Sequence, residues 1–177
     1  MIQENHYSHD LVVLYISLDE CDNSNDMWRI IGKGIRKELK KQFHSSDKYT
    51  NFIDELDFED VDENNIDYEY VCSVARCMKA SGFLGLILID EFDNFSTIAT
   101  KGTVGQVRTL FSGSEYGLRA VVASRRMVER IEKEVEGALN SNVSILASTF
   151  VNGYKLKAFN EDDMNCLLYT SPSPRDT

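Results

Sequence analysis

The segment GFLGLILIDEFDNF, residues 82 to 95, restricts the possible folds more than any other part of this sequence. Residues 84 to 89 form an almost unbroken apolar run, which is typical of a strand buried on both faces of a sheet. Three carboxylates, Asp90, Glu91 and Asp93, follow where that strand leaves the core. Because burial of an unpaired charge costs free energy, these acids are expected to have partners or a chemical task.

Strands and helices are predicted to alternate along the chain. Strands are predicted at residues 11–17, 84–89, 118–124 and 153–159. Helices are predicted at 27–43 after the capping candidates Ser24 and Asn25, around 71–78 before Gly82, near 103–111, over 125–139, and from Asn160 onward. This alternation predicts an α/β fold with a mostly parallel sheet and helices on both faces. Ligand sites in such folds gather at the carboxyl ends of the strands.

The charge of the chain is unevenly distributed. Its 177 residues are enough for one domain and carry a net charge of −10. Residues 54–69 contain nine acids and no base, and we interpret this block as a solvated loop or a docking site for a basic protein partner. One predicted helix carries a basic cluster of Arg29, Lys33, Arg36, Lys37, Lys40 and Lys41. That cluster fits either a solvent-facing side or a nucleic-acid face.

Neither a metal framework nor a membrane segment is indicated by the sequence. The four cysteines form no C-x-x-C pair, and the three histidines show no metal-ligand spacing. No apolar segment approaches the roughly 20 residues needed to span a bilayer, and the first ten residues lack the pattern of a signal peptide. We therefore expect a cytoplasmic protein without disulfide bonds.

Two predicted strand ends carry residues suited to a phosphate ligand bound with a metal. Asp90 and Glu91 follow one strand, and Ser124, Arg125 and Arg126 follow another. One carboxylate can hold Mg²⁺ through its waters while a second orients an attacking water. An arginine can neutralise the charge that develops on a transferring phosphoryl group.

Three motifs resemble those of known ATPases. LILIDEFD resembles the metal-and-water strand of P-loop ATPases, and VVASRR is similar to the sensor strand of signal-transduction (STAND) ATPases and their archaeal and bacterial AAA-like relatives. STFVNGYKLKAFNEDDM resembles the segment that leads from the last core strand into the helical lid. The resemblance covers about residues 10 to 165 and implies a partial P-loop NTPase core.

The resemblance assigns roles to four residues and implies ATP and Mg²⁺ as ligands. Asp90 would hold Mg²⁺ through water, and Glu91 would polarise the attacking water. Arg125 would sense the γ-phosphate, with Ser124 as a polar helper. Asp93 and Arg126 fit either the site or the surface, and Asp19 is expected to be a loop or capping residue.

The sequence departs from the family pattern at the phosphate-binding loop. It contains no G-x-x-x-x-G-K-[ST], and IGKGIRK at residues 31–37 falls inside a predicted amphipathic helix. In the family, that loop and its strand precede the strand that here begins at Leu11. Residues 1–158 would then be a partial ATPase core and 159–165 the start of a lid, and this chain alone is expected to bind ATP poorly and to be inactive. Residues 166–177 resemble sequencing-adapter read-through and are expected to be non-native.

Three functions fit these features. The first is a fragment of an ATPase that couples Mg-ATP hydrolysis to a conformational switch and forms homo-oligomers. The second is a non-catalytic protein-interaction module with a degenerate nucleotide-binding fold. The third is a metal-dependent nuclease that uses Asp90, Glu91 and Asp93, and it ranks last because no further acid or lysine cluster falls at another predicted strand end.

Overall fold

The computed structural model of the chain describes residues 10–43, 49–50, 52, 61–139, 146–150 and 153. The strands are β1 (Asp10–Ser17), β2 (Phe83–Asp90) and β3 (Leu118–Val122). The helices are α1 (Ser24–Phe43), α2 (Tyr68–Ala80), α3 (Phe95–Ile98), α4 (Lys101–Ser112) and α5 (Val128–Leu139). Three predicted parts of the chain lie outside the described residues. They are the strand at 153–159 except its first residue, the helix from Asn160 and the proposed non-native tail.

The three strands form one parallel sheet in the order β1-β2-β3. Leu14 of β1 pairs with Ile87 of β2, and Leu88 of β2 pairs with Val121 of β3. The predicted α/β class and parallel sheet are therefore confirmed. Because the strands run in the same direction, their carboxyl ends lie at one edge of the sheet, where the candidate residues were expected.

The sheet buries one face and exposes the other among the described residues. Side chains on the buried face are Val12, Leu14, Ile16, Phe83, Ile87, Ile89 and Leu118. Exposed side chains on the opposite face are Leu11, Val13, Tyr15, Leu84 and Val121. Helices α1 and α2 contact the buried face, where Gly34 lies against Leu14 and Met78 lies near Gly85. The apolar run of β2 therefore differs from the predicted strand buried on both faces, since Leu84 is 37% exposed.

Helix α1 begins at a different cap from the two that the sequence suggested. The Asn23 Oδ1 atom accepts hydrogen bonds from the backbone N–H groups of Asn25, at 2.9 Å, and Asp26, at 3.1 Å. Asn23 therefore caps the helix, whereas Ser24 is already its first residue. At the end of α2, Gly82 adopts the positive φ of 72° that the predicted helix stop requires.

Trp28 joins three helices of the layer that covers the buried face. Its side chain is fully buried in α1, and its indole Nε1–H donates to the Gln106 Oε1 atom of α4 at 3.1 Å. Its ring lies 5.1 Å from the ring of Tyr68 in α2. Burial of an indole together with a satisfied N–H makes this contact a major part of the core.

Gly117 allows β3 to approach β2 and α2 closely. A Cβ atom at this position would lie 3.0 Å from the Phe83 carbonyl oxygen, 3.1 Å from the Lys79 nitrogen and 3.3 Å from the Ala75 oxygen. These are backbone atoms, so relief requires movement of a strand or a helix. We expect Gly117→Ala to lower the free energy of unfolding by about 1–3 kcal/mol in urea titrations.

Gly105 supplies the matched control for that prediction. It lies in α4 with no atom within 4 Å of an added Cβ. Because alanine favours helix, Gly105→Ala is expected to stabilise the protein by about 0.5–1 kcal/mol. Equal effects of the two substitutions would contradict the role given to Gly117.

Glu132 fixes residues 146–150 to α5. Its buried carboxylate accepts the Leu146 N–H at 2.9 Å and the Ala147 N–H at 3.1 Å. Glutamine keeps the size but loses the charge and one acceptor. We expect Glu132→Gln to cost about 1–2 kcal/mol and to accelerate hydrogen exchange at both amides. The exposed Glu129 of the same helix provides a control in Glu129→Gln, and unchanged exchange in Glu132→Gln would refute the contact.

Candidate functional site

The loops that follow β2 and β3 are held side by side. The ladder between these strands continues past their ends, because Ala123 N–H donates to the Ile89 oxygen at 2.8 Å and Phe92 N–H donates to the Ala123 oxygen at 3.0 Å. Residues 90–93 and 124–126 therefore meet at the carboxyl edge of the sheet. This placement brings together all four residues that the sequence nominated for the site.

Asp90 ends β2 with both carboxylate oxygens engaged. Its Oδ2 atom accepts the Tyr15 hydroxyl at 2.8 Å, and its Oδ1 atom accepts the Glu91 N–H at 2.8 Å. The hydrogen bond to Asp90 raises the pKa of Tyr15. These contacts fix the direction of the carboxylate, while each oxygen retains lone pairs for a further ligand.

Glu91 has an unusual backbone conformation. Its φ of 49° and ψ of 41° lie in the left-handed region, and it is the only non-glycine residue with positive φ in the described part of the chain. Such backbone strain clusters at functional sites. The turn directs the Glu91 carboxylate toward β3, where its Oε2 atom accepts a hydrogen bond from Arg125 Nη2 at 3.1 Å.

Asp93 is the buried centre of the site, only 4% exposed. Its Oδ2 atom accepts the Arg125 N–H at 2.9 Å, and its Oδ1 atom accepts Arg126 Nε–H at 2.8 Å. Burial raises the pKa of Asp93, but these two hydrogen bonds and a third from the Ser124 hydroxyl outweigh it and lower the pKa from 3.8 to about 2. Asp93 is therefore a structural anion throughout the physiological range.

Ser124 and Asp19 support the two loops. The Ser124 Oγ atom accepts the Arg126 N–H at 3.1 Å, so part of its bonding capacity is used within its own loop. Asp19 accepts a hydrogen bond from the Asn94 side chain and so ties the turn after β1 to the turn after β2. The role of Asp19 agrees with the predicted loop residue, and the predicted ligand role of Ser124 stays a prediction.

Two participants were not identified from the sequence. Tyr15 reaches Asp90 because the strand register places it opposite Leu88 on the exposed face of the sheet. Glu134 of α5 accepts a hydrogen bond from Arg126 Nη1 at 2.5 Å. Neither contact has a signal in sequence spacing, since each needs a tertiary pairing to form.

The fit of the described residues to Mg²⁺ and a nucleotide depends on Asp90 and Arg125. No group of three or more His, Cys, Asp or Glu side chains in the described ranges could enclose a metal ion. Mg²⁺ does not require such a cage, since it is commonly held by one or two carboxylates, phosphate oxygens and water. Asp90 fits the single-carboxylate ligand and Arg125 fits a phosphate oxygen, whereas the sequence lacks the loop that would cradle the phosphates.

The basic cluster of α1 engages other groups of the chain. Lys33 lies 2.6 Å from Glu63, Lys41 lies 3.4 Å from Glu38, and Arg29 pairs with Asp26. Arg36 Nη1 donates to the Val61 oxygen at 3.3 Å. These contacts favour the solvent-facing interpretation of the cluster.

The cysteines Cys21, Cys72 and Cys77 are free thiols, and burial raises the pKa of Cys21 to about 11. Within the described ranges, the helices are too short or too polar to cross a bilayer.

Comparison with known proteins gives a likeness in structure only. No family model matches the chain, and no curated protein matches its sequence. The structure of the archaeal ORC2 protein of Aeropyrum pernix, solved as ADPNP and ADP complexes, superposes with a TM-score of 0.53 at 11% sequence identity. This likeness supports a P-loop ATPase-like fold, and the three parallel strands with their helices are consistent with a partial core of that fold.

The likeness covers most of this chain but a smaller part of the ORC2 chain. The superposition covers 92% of this chain but 36% of the ORC2 chain, so this chain spans about a third of that protein's length. At 11% identity the likeness shows the fold, and it does not favour the STAND type over other ATPases of this fold.

Proposed function

We propose that this chain is part of an ATP-binding, ATP-hydrolysing P-loop ATPase that couples Mg-ATP hydrolysis to a conformational switch. The observation that carries the proposal is the meeting of Asp90 and Glu91 with Arg125 at the carboxyl edge of a parallel sheet. The ORC2 structure supports it, because that protein of the same fold was solved with ADPNP and ADP.

The proposed boundaries within the chain are those that the sequence resemblance implies. Residues 1–158 belong to the ATPase core, 159–165 begin a helical lid and 166–177 are a non-native tail. The phosphate-binding loop comes from another part of the protein, and the proposed type is the STAND or archaeal-bacterial AAA-like ATPase that the motifs resemble. A cytoplasmic homo-oligomer is the expected form.

Each residue of the site has a distinct task in this reaction. Asp90, held by Tyr15, supplies the carboxylate for Mg²⁺, which would neutralise phosphate charge. Glu91 accepts a hydrogen bond from the attacking water and orients it. Arg125 neutralises charge on the γ-phosphate, and its side-chain hydrogen bond to Glu91 links the two residues before nucleotide arrives.

Mg²⁺-dependent phosphate release from ATP tests the proposal. The assay requires a form of the protein that carries a phosphate-binding loop, because the hydrogen bonds of that loop account for most of the expected affinity. We expect activity that chelation of Mg²⁺ abolishes and that Arg125→Ala lowers by about tenfold or more. Arg108→Ala, at an exposed arginine of α4, provides the matched control. Absence of release in this form would reject the proposal.

A non-catalytic interaction module is the second candidate. Exposed apolar side chains on the open face of the sheet and the exposed acids Asp62 and Glu63 favour it. Under this alternative, the loop-bearing form would release no phosphate from ATP, and Arg125→Ala would not change that result.

A further inference from the structure

The two adjacent arginines at the end of β3 have opposite surroundings. The Arg125 side chain is 78% exposed, with one hydrogen bond to Glu91 and its Nε atom 3.7 Å from Asp93 Oδ2. The Arg126 side chain is 30% exposed. It donates to Asp93 Oδ1 at 2.8 Å, to the Asp93 carbonyl oxygen at 2.6 Å and to Glu134 at 2.5 Å.

Asp93 connects these arginines in different ways. One carboxylate oxygen accepts the backbone N–H of Arg125, and the other accepts the side chain of Arg126. The carboxylate therefore fixes the main chain of the first arginine and the guanidinium of the second. Only the Arg125 guanidinium remains exposed enough to change partners.

Arg126 extends this anchor to the next helix. Its planar guanidinium spans the turn after β2, through Asp93, and helix α5, through Glu134. Guanidinium groups with several charge-assisted hydrogen bonds are held more rigidly than those with one. The loop at 124–126 is thus tied to both elements.

We propose that Asp93 and Arg126 are positioning residues that hold the Arg125 backbone beside Glu91, and that Arg126 itself contacts no nucleotide. This inference rests on the proposed ATPase function, in which Arg125 meets the γ-phosphate. The two neighbouring arginines therefore have separate roles. Arg125 contacts the ligand, whereas Arg126 fixes the position of Arg125.

Arginine-selective labelling with phenylglyoxal tests the anchor without any need for activity. In the loop-bearing form of the protein, Arg125 should react about tenfold faster than Arg126, because hydrogen bonds to charged partners shield the Arg126 guanidinium. Asp93→Asn should raise the labelling rate of Arg126 about fivefold or more. Glu129→Gln on α5 is the control and should change neither rate. Equal labelling of both arginines, or no change in Asp93→Asn, would overturn the inference.

Steady-state kinetics separate positioning from general stability. Asp93→Asn should lower kcat for ATP hydrolysis by about 10- to 100-fold with KM within about threefold, at a temperature where circular dichroism shows it fully folded. If Asp93→Asn does not fold, Arg126→Lys replaces it, since lysine keeps the charge but loses the planar fork. A loss of kcat that only follows the folded fraction would overturn the positioning role.

The two experiments distinguish this inference from the function on which it rests. If wild-type protein hydrolyses no ATP, the proposed function fails, and the labelling rates still decide whether Asp93 anchors the loop. If hydrolysis is present but Asp93→Asn retains full kcat, the function stands and the positioning role is refuted.

Discussion

Glu91→Gln is expected to lower kcat for ATP hydrolysis by about 100- to 10,000-fold while ATP affinity changes by less than about threefold. Glutamine has the shape of glutamate but cannot polarise the attacking water as an anion does. The substitution also removes the ion pair with Arg125, yet that arginine is 78% exposed, so the loss should cost below about 1 kcal/mol of stability.

Parallel measurements on the loop-bearing protein check this expectation. Phosphate release gives kcat, and titration calorimetry with a non-hydrolysable ATP analogue gives affinity. Glu115→Gln, at an exposed acid before β3, is the matched control and should leave both quantities unchanged. A Glu91→Gln protein that hydrolyses ATP at the wild-type rate would remove Glu91 from the mechanism.

Asp93→Asn is expected to lower the free energy of unfolding by about 2 kcal/mol at pH 7, with the difference disappearing in acid. The pKa of Asp93 falls from 3.8 to about 2 on folding, against the effect of burial, because of the hydrogen bonds from Arg125, Arg126 and Ser124. A carboxyl with a depressed folded-state pKa stabilises the protein above its unfolded pKa. That contribution declines as the pH falls from about 4 toward 2.

Urea titrations of both proteins between pH 7 and pH 2 measure this linkage. Wild-type protein should lose stability more steeply than Asp93→Asn below about pH 4, and the two curves should converge near pH 2. The exposed Asp22 offers a control in Asp22→Asn, which should follow the wild-type curve. Parallel curves for wild type and Asp93→Asn over the whole range would show that Asp93 is not the anchoring anion.

The sequence predicted three strands of the parallel sheet and the edge at which the candidate residues lie, because both depend on local patterns. Apolar runs marked β1, β2 and β3, and alternation with helices implied parallel strands with their ends at one edge. Asp90, Glu91, Ser124 and Arg125 were therefore expected at that edge, and the pairing of β2 with β3 places them next to one another. The strand order and register in the structure supply the distances between these residues, and the set of residues stays the same.

The contacts of Asp93 and Arg126 could not be read from the sequence for a physical reason. The residues are 33 positions apart, and their pairing forms only when β3 lies beside β2. Glu134 joins them only after α5 has formed, because it lies eight positions beyond Arg126 along the chain. The left-handed conformation of Glu91 was equally unpredictable from the sequence, because glutamate has no intrinsic preference for that conformation.

The position of Trp28 makes the protein its own optical probe. It is the sole tryptophan of the sequence, and it is buried in α1 against Tyr68 of α2 and Gln106 of α4. Its fluorescence emission should therefore shift to longer wavelength when the helical layer separates, and stay constant when only the Arg125 side chain moves. Tryptophan emission therefore reports separation of the helical layer without interference from movement of Arg125, and it needs no attached dye.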